Sequence, residues 1–544
     1  MTETVTTLEL TGFDEAVTGL VTKYFTRRDR SLISGGSDTP AKTPFEPRMA
    51  NAGTFDLFMF GNARLGGAGA SEGGAVVLDN HDGGLDYLRG WGLDGRTMTL
   101  RRGTRGQSYP SAYTTLLKGT MLAPHFSMTD VTLRIRSRVA EVLNQTLQRD
   151  RYQGDNVLPD GVEGTEDDIK GLYKPEFWGK RLQIPVVLVN TSKNTYQVSR
   201  GVVISIDEVY VQGAATWTPG TQHSTLAALQ AATVASGEYD YYLGDDADGS
   251  YLRLGSDPTG AVTVDATAPL NTVADIVDNI LQSFAGIASA EIEGKAALNT
   301  ANSAPVGCWS GTGQVTMGEA IFELLDTIGG FLTEKRNGNF LMGRLEAPSG
   351  TPALTITQTY VDETAGPPEI VTNSDIAREV PVYRVGVGYK KVYQVQTGGE
   401  LAGAATQATR ALVGEELRYS VYQDGGVLLL EGGAGELLLE GGAGSLLLED
   451  VRSKHPLAGE LIVPALYDDE TDAQAEALRL FQLHGVDREL VNLPVVNRVT
   501  GSLNINDVVE VQLDRYNWGG GKLFRVVGIS EDFNSEVTVL QLFG

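Results

Sequence analysis

Alternation of apolar and polar residues dominates this chain. From Thr54 onward, Phe55, Leu57 and Met59 recur at every second position, the period of a strand with one buried face. Spans 75–78, 97–102 and 112–117 predict further short strands. In 129–138, Val131, Leu133 and Ile135 alternate with Thr132, Arg134 and Arg136, as on a half-solvated sheet. Residues 1–50 are polar and weakly periodic, and they predict a loop or extended arm. A short helix is expected over 139–147 and a loop over 151–166.

The stretch 167–213 organises what surrounds it. Lys174, Pro175, Phe177, Trp178 and Gly179 precede an apolar run at 184–189, a polar turn at 190–194, and alternating strands at 195–198 and 202–211. A β-rich half lies before it and a longer half with helices after it, so the stretch reads as a seam between modules. Packing at the seam explains Phe177 and Trp178 better than a carbohydrate platform does.

Beyond the seam, 237–254 predicts a hairpin around 245–249, and 261–265 another strand. Helical spacing then appears. Val273, Ile276, Val277, Ile280, Leu281 and Phe284 form one apolar stripe, with Thr272 placed to cap it. Thr316 and Glu319 make a capping box ahead of Met317, Ile321, Leu324, Leu325 and Ile328, and two glycines close that helix. A hairpin turning at Asn337 and Gly338 follows. Strands are expected at 351–360 and 381–396, a third helix at 473–483 started by Thr471, and a β unit over 508–513, 522–529 and 536–543.

Residues 427–450 repeat with a period of nine: VLLLEGGAG, ELLLEGGAG, SLLLED. The glycine spacing is that of calcium-binding β-roll nonapeptides, but Leu437 and Leu446 stand where a ligating aspartate belongs, and leucine cannot hold calcium. The pattern predicts three short strands with glycine turns. Leu428, Leu429, Leu430, Leu437, Leu438, Leu439, Leu446, Leu447 and Leu448 put apolar groups on both faces, which suggests contact between subunits or a small projecting sheet.

Composition narrows the possibilities. The 544 residues suggest about three or four domains, and 66 glycines fit turn-rich β structure. Against 43 basic residues stand 69 acidic ones, a net charge of −26, which disfavours nucleic-acid binding through phosphate neutralisation. An acidic surface would instead repel DNA passing by it. One cysteine, Cys308, leaves no intrachain disulfide and no cysteine-rich zinc site. No Sec signal peptide and no membrane helix are expected. The histidines (His81, His125, His223, His455, His484) show no metal-ligand spacing. Asp245, Asp246, Asp248 and Gly249 resemble part of an EF-hand loop but lack its glutamate, and read as an acidic hairpin turn. No nucleophile elbow, Walker loop or dinucleotide fingerprint occurs. No catalytic, metal or cofactor site is expected, which shifts weight toward a structural or binding protein.

The seam also carries a resemblance. Lys170, Gly171, Lys174, Pro175, Trp178, Gly179, Pro185, Val187, Leu188, Val189, Asn190, Tyr196, Gln197 and Val198 match, in order, a segment of tail proteins from long-tailed bacteriophages and prophages. Flanking stretches over about 80–400 and 455–544 look like the rest of such proteins, while the leucine repeat departs from the shared pattern. The resemblance implies a tail-tip or baseplate hub, mainly β with a few inserted helices (α+β), built of several β-barrel-like modules. It divides the chain as 1–50 arm, 51–165 β-rich module, 166–270 seam and β module, 271–400 hub-like α+β module, 401–460 repeat insertion, and 461–544 helix plus barrel-like module. Such a protein would form a ring, as a trimer, at the end of the tail tube. Its partners would be distal tail or tube, tape-measure and fibre or spike proteins, and it would take part in host attachment and DNA ejection from the virion. Lys174, Pro175, Trp178, Gly179, Asn190 and Tyr196 would be structural seam residues. A receptor- or glycan-binding module, with Tyr239, Tyr241 and Tyr242 as suspects, is a second reading, and a cell-wall hydrolase a weaker third.

Overall fold

The computed structural model describes residues 3–60, 67–157, 159–245, 248–371, 381–393, 400–405, 417–424, 427–432, 436–438, 451–496, 500–535 and 537–544. The chain is mainly β, with helices set between several sheets.

The first fifty residues are strands, which corrects the expectation of an arm. Thr4–Asp14 lies inside the largest sheet, antiparallel to Gly19–Arg27 on one side and to Thr97–Thr104 on the other. Threonine is polar but β-branched and favours strands. Both faces of this strand are also covered. Leu8 and Leu10 join the main core, while Val5 packs on the other side with Phe45, Tyr109 and Tyr113. Two buried faces blur the alternation that marks a half-exposed strand.

A C-terminal sheet supplies the other half of the main core. Its order is Leu354–Thr357, Val508–Gln512, Lys522–Asp532, Val537–Phe543, Leu490–Val496 and Glu369–Ile370. The early strand Thr54–Phe58 pairs with Lys522–Asp532, Phe58 opposite Gly528 and Thr54 opposite Asp532. Gly67–Ala68 pairs in turn with Phe331 and Leu332. Hydrogen bonds therefore run across the expected boundaries at 165 and 461. The two ends of the chain share one core, with Leu100 and Leu133 beside Val509 and Leu540.

The expected barrel-like modules do not appear as closed barrels. Among the described residues no sheet closes on itself, and each keeps two edges. The largest sheet ends on His125–Phe126 and Ile135–Arg136, strands of two residues each, too short to carry a closing ladder.

A second core collects the helices. Val273–Asn279 is capped by Thr272, whose side chain accepts from the Asp275 N–H, and Met317–Thr327 carries the Thr316–Glu319 capping box. Glu470–His484 is capped by Asp469, not started by Thr471. The Asp469 carboxylate accepts from the Thr471 N–H at 2.7 Å, and its charge suits the positive end of the helix. These helices pack with Arg384–Tyr389 and Glu460–Tyr467, parallel neighbours in a sheet whose other described strands are Leu417–Asp424, Val427–Gly432 and Glu436–Leu438. The first two repeat units are thus antiparallel strands at a sheet edge. Leu439, Leu446, Leu447 and Leu448 lie outside the described residues, as does Asp246.

Residues between the seam and Thr267 form a module with its own core. The apolar run 184–189 is divided rather than continuous. Lys180–Pro185 pairs with Val262–Thr267, and Val187–Asn190 pairs with Thr195–Ser199 in a different sheet. The first of these strands carries a register shift between Arg181 and Ile184, where Gln183 has φ 53°, and Val186 alone separates it from the second. The hairpin Glu238–Tyr242 and Ser250–Leu254 forms as expected. It does not display its tyrosines: Tyr239 and Tyr242 are buried and Tyr241 is half-buried against the core, because the alternating faces of this hairpin are both covered. That removes the aromatic suspects for a receptor surface.

Candidate functional site at the inter-module joint

Part of the seam lies where two cores meet. Phe177–Trp178 is a two-residue strand antiparallel to Cys308–Trp309, with Phe177 opposite Trp309 and Trp178 opposite Cys308. Successive strand side chains point to opposite sides. Phe177 therefore enters the core of the seam module, beside Ile184, Tyr196 and Val264. Trp178 enters the helical core, beside Val273, Ile276 and Ile321. The indole is 5% exposed; its Nε1–H donates to Asn279 Oδ1 at 3.0 Å, and its ring centre lies 5.5 Å from that of Phe284.

Glu176 locks the strand from one side. Arg149 donates from Nε and Nη2 to its two oxygens at 2.9 and 3.1 Å. The Glu176 N–H donates to Ser310 Oγ at 2.9 Å, and its C=O accepts from the Ser310 N–H at 3.0 Å. Burial pushes the pKa of this carboxyl above its ordinary value, and Arg149 offsets part of that. Gly179 allows the close approach on the other side. Its φ is 68°, and a Cβ would stand 1.9 Å from the Val306 carbonyl oxygen.

Arg181 ties the joint to the repeat-bearing sheet. It is 1% exposed and donates to the Gly307 carbonyl at 2.7 Å, to Asp468 Oδ1 at 3.1 Å and to the Leu466 carbonyl. Burial raises Asp468 to about 6, and Arg181 works against that rise. Lys174 pins the preceding loop. Its N–H donates to the Asp150 carbonyl at 2.9 Å and its ammonium to Glu163 at 2.5 Å, with the ring centre of Tyr152 5.4 Å away. The Pro175 carbonyl accepts from Arg200 N–H at 2.6 Å.

Of the six expected seam residues, Lys174, Pro175, Trp178 and Gly179 come together here. Asn190 and Tyr196 lie within the adjoining module. Buried Asn190 donates to the Pro159 and Gly161 carbonyls at 2.9 and 2.6 Å. Tyr196 is core, its phenol pushed up to about 12 by burial and by Asp257. Glu176, Arg149, Arg181 and Ser310 were not singled out by the sequence. Their partners lie 27 to 287 residues away, and no local pattern joins them.

A cleft of about 180 Å³ opens at the joint, lined among others by Arg149, Trp178, Leu270, Asn279 and Phe284. Its polar groups are engaged with one another, and Arg149 also lies 4.8 Å from the Phe284 ring centre. The chemistry on view is that of packing and pairing. The Cys308 thiol is buried and pushed up to about 12, too high for a thiolate nucleophile. His223 meets Asp240 at 2.8 Å and His455 meets Asp487 at 2.9 Å, each as a pair. Among the described residues no group of three or more His, Cys, Asp or Glu side chains is placed to hold a metal ion. Asp245 accepts from the Asp248 N–H at 2.8 Å, a turn contact.

No family model matches the chain, and no curated protein matches it in sequence. Solved structures similar to it are tail proteins and a virion. The tail protein from Neisseria meningitidis MC58 shares 10% identity over 94% of this chain and 95% of its own, at a TM-score of 0.38. The 43 kDa tail protein of prophage MuSo2 from Shewanella oneidensis shares 10% over 94% and 97%, at 0.36. A chain of the virion of a native gene transfer agent particle shares 13% over 69% and 85%, at 0.39.

Proposed function

We propose that this chain is a structural protein of a bacteriophage tail tip, a baseplate hub that assembles as a ring at the distal end of the tail tube. One observation carries the reading. The ordered residues through which the chain resembles phage tail proteins include Trp178 and Gly179, which meet the helical core, and Lys174 and Pro175, which brace the loop just before them. A motif series that is architectural in the fold suits a family whose work is architecture.

The arrangement supports assembly in other ways. Every sheet has edges among the described residues, and the edge strand Thr218–Gln222 is exposed along its whole length. Such edges are where neighbouring chains pair. The repeat strands Val427–Gly432 and Glu436–Leu438 lie at another edge and are the proposed subunit contact. A trimer, contacts with tube, tape-measure and fibre or spike proteins, and a role in host attachment complete the proposal. A net charge of −26 facing the lumen would let DNA pass without sticking.

Imaging of particles that carry a tag on this chain tests the reading. Tag density at the tail tip, and loss of assembled tips when the chain is absent, are expected. Tag density elsewhere in the particle, or intact tips without the chain, would overturn it. A zymogram on host peptidoglycan separates the hydrolase reading: clearing by the purified chain would establish it.

A further inference from the structure

The outer face of the C-terminal sheet holds a second cleft, of about 640 Å³. Ordinary ligand clefts run from ~300 to ~1,000 Å³. Leu493, Val495 and Leu540 point into the main core. Asn492, Pro494 and Val539 alternate with them and so point outward, Pro494 opposite Val539 across the ladder. Glu369, on the edge strand, stands opposite Asn492 and shares that face. These four residues line the cleft, together with residues 365–368 and, from another loop, Tyr516.

Tyr516 is held on display. It is 47% exposed, and it and Asn517 both keep left-handed backbone, at φ 58° and 62°. Residues other than glycine adopt that conformation at a cost, and such residues gather at ligand clamps. The Tyr516 ring centre lies 5.0 Å from that of buried Trp518, whose Nε1–H donates to Glu489 at 3.2 Å. The polar groups of the cleft are unspent. Among the described residues the Glu369 carboxylate, the Asn492 carboxamide and the Tyr516 hydroxyl have no hydrogen-bond or ion-pair partner. Other acids of this sheet are engaged: Glu489 by Trp518 and Lys522, and Glu510 by Thr355 and Gln512.

These groups together select a class of ligand. A carboxylate accepts from two adjacent hydroxyls, and a carboxamide both accepts and donates. An aromatic face, with Pro494 and Val539 beside it, covers C–H groups. No Lys or Arg lines the cleft among the described residues, so an anion finds no partner beside Glu369. Arg515 lies 5.9 Å from the Tyr516 ring centre and disfavours a cation there. A polyol with apolar faces meets all of these demands. We propose that the cleft binds a neutral saccharide, its ring stacked on Tyr516 and its hydroxyls bonded to Glu369 and Asn492. The site stands apart from the tail-tip reading, because a chain placed elsewhere in a particle would bind the same sugar.

Binding of the full chain to an immobilised panel of neutral, sialylated and phosphorylated glycans, with decaproline as a peptide arm, tests this. The chains compared are wild type, Tyr516→Ala, Glu369→Gln and Tyr87→Ala. All three positions are exposed, so the substitutions leave the fold intact. Wild type is expected to bind neutral glycans, and Tyr516→Ala and Glu369→Gln to bind them about tenfold more weakly, the loss of one hydrogen bond to a charged group or its equivalent. Tyr87→Ala changes an exposed tyrosine elsewhere on the chain and should bind as wild type does. Absence of binding to every neutral glycan, or binding to charged glycans alone, would overturn the ligand class. Full binding by Tyr516→Ala and Glu369→Gln, or an equal loss in Tyr87→Ala, would overturn the cleft as its place. Decaproline capture that Tyr516→Ala abolishes, with no glycan bound, would reassign the cleft to a peptide.

Discussion

Phe177 and Trp178 are adjacent in the chain and lie in different cores. Phe177 packs with Tyr196 and Val264, and Trp178 with Val273 and Ile321. One peptide bond therefore couples two modules. Truncating either ring should cost about 3–5 kcal/mol, the range for a large buried aromatic. The location of the damage should differ. Phe177→Ala is expected to speed hydrogen exchange in Thr195–Ser199 and Ser250–Leu254, and Trp178→Ala in Val273–Asn279 and Met317–Thr327. Identical exchange maps for the two variants would refute the division. In tails, Trp178→Ala is expected to impair assembly through the same lost packing.

Gly179 and Gly171 both belong to the motif series, and the fold asks different things of them. Each has positive φ, 68° and 82°. A Cβ on Gly179 meets backbone at 1.9 Å, whereas on Gly171 it meets nothing within 4 Å. Gly171→Ala should cost only the left-handed backbone, about 1–2 kcal/mol. Gly179→Ala must also push Phe177–Trp178 away from Cys308–Trp309, and should cost about 3 kcal/mol or more. Chemical denaturation of the two variants checks the order, and a reversed order would show that the close approach relaxes freely.

His484 gives the chain a pH signature. It is buried, its Nε2 has no partner among the described residues, and burial with Arg479 and Arg488 nearby holds its pKa down at about 3. An unfolded histidine titrates near 6.5. As pH falls from 6.5 towards 3, the unfolded chain takes up a proton that the folded chain refuses. Stability is therefore lost on acidification, by about 1.4 kcal/mol per pH unit, and is unaffected by this group at higher pH. Asp468 has the opposite sign. Its folded value of about 6 exceeds the ordinary 3.8, so its contribution grows below pH 6 and is lost as pH rises through that window. Denaturation curves between pH 4 and 7 for His484→Leu should be flatter than wild type, and those for Asp468→Asn steeper. A His484→Leu profile parallel to wild type would clear the imidazole of any part in acid sensitivity.

What the sequence revealed divides along the range of the interaction. The Thr316–Glu319 capping box, the Thr272 cap and the turn at Gly338 are settled by residues three or four apart, and all are found where the pattern puts them. Phe55, Leu57 and Met59 mark a strand, but nothing near them says that its partner is Gly528–Asp532, so the expected modules are drawn as separate where the sheet joins them. Arg181 shows the same limit at the joint. A charged residue ordinarily faces solvent, and only the distant Leu466 carbonyl and Asp468 turn it into a buried tie. Tyr239 and Tyr242 erred the other way, because tyrosines spaced along a hairpin look displayed until both faces are seen to be covered.

The first strand offers the sharpest separation between pattern and fold. An arm over 1–50 would tolerate change, since an unpacked side chain loses nothing when shortened. Thr4–Asp14 instead lies between two strands and places Leu8, 0% exposed, against the core that both chain ends share. Leu8→Ala removes a buried side chain and leaves a cavity, at a cost of about 2–5 kcal/mol. Thr11→Ala lies on the same strand with a partly exposed side chain bonded to Thr22 at 3.0 Å, and should cost about 1 kcal/mol. Because the core is common to both sheets, the Leu8 variant should also loosen the remote strands Lys522–Asp532 and Val537–Phe543. Hydrogen exchange there, more than five hundred residues along the chain, is the measurement. Protection unchanged in those strands would mean that the two sheets fold independently and that their shared core does not couple them.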